Sequence, residues 1–210
     1  MKQYFGKDKW LYLFHTIVHP LDGFYEIRHR GTGSVPIAII VMILFSFCFS
    51  MNRMMASFVV NDIDPRTVNS LTELVAVMIL FLLICVGNWS VTCLMDGEGR
   101  FKDIVTAVGY SFTPMIFAFL IATAFSQIVA ADEEAFYTII IGIGVVWTAF
   151  LLLTGIMTIH NYSLGKTVVT LLISFLAICL IMFIAIVFID IISQVFNFFK
   201  SIYTELLFRT

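Results

Sequence analysis

Charged residues are scarce in this chain. Only 12% of its 210 residues are Asp, Glu, Lys or Arg, whereas an ordinary soluble domain has about 25%. The net charge of −2 offers no basic face, so we expect no binding to nucleic acid. Paired cysteines are missing too, because each cysteine stands alone in an apolar stretch. We interpret Cys48, Cys85, Cys93 and Cys179 as small apolar residues rather than as disulfides or metal ligands.

Motifs of catalysis are also missing. The sequence has no His-Glu-x-x-His, no Gly-x-Ser-x-Gly and no Walker or dinucleotide loop. His15 and His19 lie four residues apart, and Asp22 or Glu26 is near enough in sequence to complete a metal site. A zinc site needs three or four ligands, so we favour histidines at the membrane interface without a metal. We therefore expect no enzyme, no metal and no cofactor.

Five long apolar runs make up most of the chain. They are Pro36–Ala56, Leu71–Leu94, Ile104–Ala131, Phe136–Ile159 and Thr167–Ile189. A helix that rises 1.5 Å per residue needs about 20 residues to cross a hydrocarbon core of about 30 Å. The mean hydropathy of +1.01 agrees with this reading. We predict an all-α membrane protein with a leader at 1–35, a five-helix transmembrane domain at 36–189 and a tail at 190–210.

The distribution of basic residues predicts the orientation. Five spans place alternate connections on opposite sides of the membrane. Eight basic residues fall on the side of the leader: Lys2, Lys7, Lys9, Arg28, Arg30, Arg100, Lys102 and Lys166. Four fall on the other side: Arg53, Arg66, Lys200 and Arg209. Because cytoplasmic loops carry the excess of Lys and Arg, we expect a cytoplasmic N-terminus and an external C-terminus.

Both ends have the pattern of amphipathic helices. In the leader, apolar residues recur at helical spacing between Trp10 and Leu21. In the tail, a polar stripe runs from Asp190 to Glu205, opposite an apolar face. We expect interfacial helices at both ends. An equally good alternative is that the two apolar faces pack on the protein's own bundle.

The third span has the features of a central helix. Its small residues recur every four positions, as at Ala118 and Ala122, which lets membrane helices approach closely. Gly142, Gly144 and Gly155 predict similar contacts for the fourth span. Pro114 predicts a kink or a break. The candidate kink and polar cluster comprises Tyr110, Ser111, Thr113 and Pro114, whose side chains are placed to satisfy the freed carbonyl groups. Plain helix packing is favoured over a substrate pathway here.

Charged residues are missing from the middle of every span. Coupling to protons or ions usually requires a buried ionisable group near the midplane. Arg53, Glu73 and Asp190 lie close enough to an interface to reach it by snorkelling. An ion-coupled transporter is therefore disfavoured, while a passive route or a scaffold remains open.

Two connections and the leader carry a family resemblance. The run from Asp96 through Lys102 to Pro114, with its Gly-x-Phe-Lys…Tyr-Ser-x-x-Pro order, resembles the signature of the Yip domain family. The stretch His160–Lys166 resembles the family's second conserved stretch, and His19–Ile27 resembles a segment of its prokaryotic members. Membership implies five spans and a cytoplasmic N-terminus. Eukaryotic members have a longer hydrophilic N-terminal region and are linked to Rab-type GTPases, whereas some prokaryotic members work beside ABC transporters. The resemblance therefore implies a prokaryotic-type protein of the plasma membrane.

Our leading hypothesis is a non-enzymatic scaffold or accessory partner in the lipid bilayer. Its cytoplasmic turns would dock another integral membrane protein or complex, such as an ABC transporter, and a homo-oligomer is also compatible with the sequence. The candidate docking residues are Asp96, Gly97, Gly99, Phe101, Lys102, Asn161 and Lys166. We interpret the Gly97-x-Gly99 pair itself as a tight turn. The alternative is a passive conduit or permease for a small solute or lipid beside Pro114.

Overall fold

The computed structural model describes residues 6–130 and 133–208. It has eight α-helices in these ranges, and no strand. The helices are α1 Lys7–Val18, α2 Pro20–Arg30, α3 Val35–Met55, α4 Ser70–Leu94, α5 Phe101–Ser111, α6 Thr113–Ser126, α7 Glu134–His160 and α8 Leu164–Phe208, with a short 3₁₀ turn at Pro65–Thr67. Lys2 and Arg209 of the charge count, and Ala131 at the predicted end of the third span, lie outside the described residues.

Five helical segments are long and apolar enough to cross a membrane. They are α3, α4, the α5–α6 pair, α7 and α8, so the five predicted spans are confirmed at the level of length and composition. The third span starts three residues before the predicted Ile104, at Phe101. It is also the most enclosed span, since 72% of an 18-residue apolar stretch within it is buried, whereas only 6% of the corresponding stretch of α8 is. The predicted central position of the third span is confirmed.

Glycines set the closest helix contacts. A Cβ atom on Gly109 would lie 2.6 Å from the Cβ of Ala38, and one on Gly144 would lie 2.4 Å from the Cβ of Ala118. Such contacts let the backbones of α5 and α3, and of α7 and α6, approach within van der Waals distance. Gly142 was predicted to do the same, and this prediction is wrong, because no atom lies within 4 Å of its added Cβ.

The leader folds into two helices that pack on the bundle. The chain turns at His19, and Pro20 occupies the first position of α2, where its missing N–H costs nothing. α2 buries Phe24 and Ile27, and the ring of Phe24 lies against Gly155 of α7, 3.1 Å from the position of an added Cβ. These contacts hold α2 on the bundle. The predicted amphipathic helix between Trp10 and Leu21 corresponds mainly to α1, and its interfacial position stays a prediction.

The last helix is unusually long. α8 spans 45 residues, or about 67 Å at 1.5 Å per residue, which is more than twice the thickness of a hydrocarbon core. It has no break at the predicted boundary between Ile189 and Asp190. Even at a tilt of about 40°, a helix of this length rises about 50 Å along the membrane normal, so part of α8 extends beyond the hydrocarbon core. Its placement on the outer surface stays a prediction.

Two of the charged residues near the ends of the spans are paired with each other. Arg53 at the end of α3 forms an ion pair with Glu73 in the first turn of α4. Beside them, Asn52 donates to the Thr123 hydroxyl at 2.9 Å and accepts from the Tyr137 hydroxyl, also at 2.9 Å. Because each polar group finds a partner on a neighbouring helix, this end of the bundle is held by polar contacts.

Candidate functional site

Three segments meet at one end of the bundle. They are the connection 95–100 between α4 and α5, the connection 161–163 between α7 and α8, and the second half of α2. We call this end of the molecule the turn face. It is the end for which the charge distribution predicts a cytoplasmic position.

The two connections begin in the same way. A left-handed residue closely follows each helix: Asp96 with φ 55° after α4, and Asn161 with φ 56° after α7. The next amide then bonds back to the helix: Gly97 N–H donates to the Thr92 carbonyl at 2.8 Å, and Tyr162 N–H donates to the Met157 carbonyl at 3.0 Å. This is the Schellman arrangement, for which Asn and Asp are suitable non-glycine residues.

The glycines of the first connection are needed for space rather than for turn geometry. The left-handed residue is Asp96, so the interpretation of Gly97-x-Gly99 as the turn itself is wrong in detail. A Cβ on Gly97 would lie 2.6 Å from Nδ1 of His160, and one on Gly99 would lie 2.7 Å from Cε1 of the same ring. Both glycines let the connection lie directly on His160.

His160 joins the two connections. Its Nδ1 accepts from the Gly99 N–H at 3.3 Å, and its ring stacks on Tyr162 with centroids 5.3 Å apart. The Tyr162 hydroxyl donates to the Met95 carbonyl at 2.9 Å. Since Nδ1 is the acceptor, the neutral ring carries its proton on Nε2, which is buried without a hydrogen-bond partner.

α2 is tied to the first connection by charged groups. Arg28 forms an ion pair with Glu98, and the Arg100 guanidinium donates to the Arg28 carbonyl at 3.2 Å. Arg100 also pairs with the buried carboxylate of Asp103 at 2.8 Å. A buried carboxylate needs such a partner. Arg100 therefore neutralises Asp103 of α5 and also holds α2 in position.

An open polar pocket of about 370 Å³ lies where the three segments meet. It is lined by Tyr25, Arg28, His29, Glu98, Met157, Thr158, Asn161 and Tyr162. Burial, and next the nearby Asp96 carboxylate, raise the pKa of the Tyr162 phenol, so it stays neutral and available as a donor at ordinary pH. The pocket offers both charges and hydrogen-bonding groups, which suits recognition of a polar surface.

The hydroxyl groups of the polar cluster at Pro114 are hydrogen-bonded within the bundle. The helix breaks at Phe112, as Pro114 predicts. The carbonyl that the proline leaves without its usual donor is that of Tyr110, and the Thr113 hydroxyl donates to it at 2.8 Å. Ser111 donates to the Ala107 carbonyl at 2.8 Å. The helix is thus interrupted just before Pro114, and the Tyr110 carbonyl has a donor within the bundle.

A comparison with protein families matches the Yip1 domain over residues 14–186. The chain belongs to the Yip1 domain family. The match starts at Phe14 in α1 and ends at Ile186 in α8, so it includes α2 and both connections of the turn face. No match was found among curated proteins or among solved structures. This Yip1 domain protein is thus a multi-pass membrane protein, as the sequence resemblance implied.

Five of the predicted docking residues meet on the turn face of this Yip1 domain protein. Asp96 and Asn161 are exposed, whereas Gly97 and Gly99 are half-buried spacers. The Lys166 ammonium lies over the Tyr162 ring, 4.3 Å from its centroid. The docking role of these residues stays a prediction.

Two predicted docking residues lie apart from the others. The Phe101 ring packs edge-on against Trp89, with centroids 5.7 Å apart. Lys102 lines a separate pocket together with Lys9. They belong to the first turn of α5, where side chains fan out in different directions.

The residues that hold the turn face together were not among the predicted docking residues. Arg28, Glu98, Arg100 and His160 were not selected, because none completes a catalytic or metal motif. A signal for one of them was present, since a histidine that ends a long apolar run is unusual in a membrane helix.

The structure does not bring a third ligand to the paired histidines of the leader, among the residues it describes. The rings of His15 and His19 stack with centroids 5.1 Å apart, and Nε2 of His15 lies 3.7 Å from the Asp22 carboxylate. Among the described residues, no group of three or more His, Cys, Asp or Glu side chains is close enough to hold a metal.

Proposed function

We propose that this Yip1 domain protein is a non-enzymatic scaffold or accessory protein that docks another membrane protein or complex on its turn face. The bilayer surrounds the five spans, and the turn face lies in the cytoplasm. An ABC transporter is one candidate partner, because the family resemblance of the prokaryotic type implies it.

The main support is the preorganised turn face. His160, Arg28 and Arg100 tie three segments of the chain into one surface, and the pocket at their junction opens outward with groups of both charges. A surface that is already ordered loses little conformational entropy on binding, so more of its contact energy is available for affinity. By contrast, the Ser111 and Thr113 hydroxyls near Pro114 donate to backbone carbonyls of their own helix region, inside the bundle.

Co-purification under mild solubilisation tests the docking proposal. Lys166→Gln removes one positive charge from the turn face, and Lys102→Gln tests a predicted residue that lies apart from it. Lys200→Gln, on the exposed distal half of α8, is the matched control. We expect a partner with wild type and Lys200→Gln, and loss of that partner with Lys166→Gln. A protein that remains alone in all four samples contradicts the proposal.

Thiol labelling tests the orientation. In a background with Cys93 and Cys179 replaced by serine, Ser201→Cys is expected to react with an impermeant reagent outside intact cells, and Lys7→Cys is not. The odd number of spans separates the two ends. Reaction of both positions from the same side contradicts a cytoplasmic turn face with five complete spans.

A second candidate function is a passive conduit, and one cavity favours a lipid as the cargo. An apolar groove of about 540 Å³ lies beside Pro114, between α1, α6 and α7; its lining includes Phe14, Phe117 and Trp147. The Tyr110, Ser111 and Thr113 side chains do not line it, which leaves a polar solute without partners. Lipid transfer in reconstituted vesicles that Pro114→Ala abolishes supports this function, and no transfer by wild type contradicts it.

A further inference from the structure

One face of α8 carries a seven-residue repeat, which we call the α8 seam. In the first half of the helix, its positions are spaced alternately by four and three residues: Thr167, Leu171, Ser174, Ile178 and Ile181. All five are buried or half-buried. The packing on α4 is close, since a Cβ on Gly87 would lie 2.5 Å from Cγ1 of Ile178. A spacing of four and three residues is the pattern with which long helices pack side by side.

The α8 seam continues without interruption into the second half of the helix. The same spacing is kept at Ala185, Phe188, Ile192, Val195, Phe199 and Ile202. Asp190, Asn197 and Thr204 each follow a seam residue by two positions, which places them on the opposite face of the helix. Every residue from 182 to 204 is exposed in the single chain. The face that packs on the bundle in the first half of α8 is therefore bare in the second half.

The bare part of the α8 seam offers enough apolar surface for a stable interface. Five aromatic rings on the seam or beside it are 62–72% exposed: Phe188, Phe196, Phe198, Phe199 and Tyr203. Since such a side chain can bury about 150–250 Å², the five rings offer on the order of 500–800 Å² per copy. A standard interface buries about 800 Å² per partner. The aliphatic seam residues Ile192, Val195 and Ile202 add to this surface.

We infer that the second half of α8 pairs with the same segment of a second copy of this chain. The bare seam directly continues one that already packs helix on helix, so the occupant it fits is a helix. A second α8 has the same repeat over the same length. Both copies cross the membrane in the same direction, so the two helices lie parallel and in register about a two-fold axis. The inference does not depend on partner docking at the turn face.

The alternative of a tail that bends onto the membrane surface lacks a hinge. Sharp kinks in helices almost always occur at proline, at glycine–serine pairs or at an inserted residue. α8 has no proline, and its one glycine, Gly165, is its second residue. The helix is continuous from Leu164 to Phe208, which favours a straight segment that packs on another helix.

Cysteine cross-linking of the full-length protein in native membranes tests the pairing. In a background with Cys93 and Cys179 replaced by serine, a single cysteine is placed on the seam, as Val195→Cys or Ile202→Cys. Asn197→Cys, on the opposite face of the same exposed segment, is the matched control. Mild oxidation is expected to give about fivefold more disulfide-linked dimer from 195 and 202 than from 197, because a disulfide requires Cα atoms roughly 4.4–6.8 Å apart. Equal amounts from all three positions, or no dimer from the seam positions, overturns the inference.

A second arm measures the mass of the protein in mild detergent by native mass spectrometry. Wild type and Asn197→Asp are expected to have the mass of two copies. Val195→Asp places a charge inside the seam and is expected to weaken the dimer about tenfold or more. Wild type with the mass of one copy, together with no cross-link at 195 or 202, identifies a tail that the bilayer covers. Wild type bound through this segment to a different protein identifies another partner, and either result overturns the inference.

Discussion

Gly97→Ala is the most informative single substitution on the turn face. The added methyl group would lie 2.6 Å from Nδ1 of His160, 2.7 Å from Cβ of Thr92 and 2.8 Å from the hydroxyl oxygen of Tyr162. Thr92 Cβ is attached directly to the backbone of α4, and Tyr162 is fixed by its bond to the Met95 carbonyl. Thr92 Cβ can move only with the backbone of α4, and a shift of His160 or Tyr162 breaks a contact between the two connections.

The expected cost follows from this crowding. Overpacking of a well-packed site costs about 1–3 kcal/mol. For a chain of this size, a loss of 1 kcal/mol lowers the Tm by about 2–4 °C, so Gly97→Ala is expected to lower it by about 2–12 °C. Heating the detergent-solubilised protein, followed by size-exclusion chromatography with fluorescence detection, measures the change.

Gly165→Ala is the matched control, because it adds the same methyl group at the same end of the bundle. No atom lies within 4 Å of its added Cβ, and alanine is favoured over glycine in a helix by up to about 1 kcal/mol. We expect an unchanged or slightly higher Tm. Equal Tm values for Gly97→Ala and Gly165→Ala would refute the close packing of the first connection on His160.

Two further predictions concern other parts of the fold. Gly109→Ala places a methyl group 2.6 Å from Ala38 Cβ and 2.9 Å from its Cα, so it is expected to destabilise the bundle by about 1–3 kcal/mol. Gly142→Ala is the control, because its methyl group faces open space, and it is expected to leave the Tm in the same assay nearly unchanged. Burial raises the pKa of Tyr162 in the folded protein. The neutral phenol therefore stabilises the fold fully below about pH 10, the ordinary pKa of tyrosine, and this contribution is lost as the pH rises through the raised value. Tyr162→Phe is expected to lose about 1 kcal/mol at neutral pH, because it removes the bond to the Met95 carbonyl, and to flatten this alkaline part of the profile; an unchanged profile contradicts the assignment.

The spans were predictable because the bilayer imposes a simple rule on length and composition. The break at Pro114 was predictable for a similar reason, since a proline in the middle of an apolar run lacks the N–H that a continuous helix needs there. The enclosed position of the third span followed from its small residues, which act locally at each helix contact.

The turn face was only partly predictable, because it depends on contacts between distant parts of the chain. Arg28 and Glu98 are 70 residues apart, and Gly99 and His160 are 61 residues apart. Nothing in the local sequence pattern shows that these pairs meet. The pairing of Arg53 with Glu73 was missed for the same reason, since each residue on its own is close enough to an interface to snorkel.

Site-specific photocrosslinking on the turn face tests the proposed docking function most directly. A photoreactive phenylalanine derivative replaces Leu164, which is 62% exposed beside the second connection. The control position is Phe58, 88% exposed at the opposite end of the bundle. In intact membranes, we expect illumination to give a discrete adduct with a different protein from position 164 and none from position 58. No adduct from position 164, or the same adducts from both positions, would contradict a docking function for the turn face.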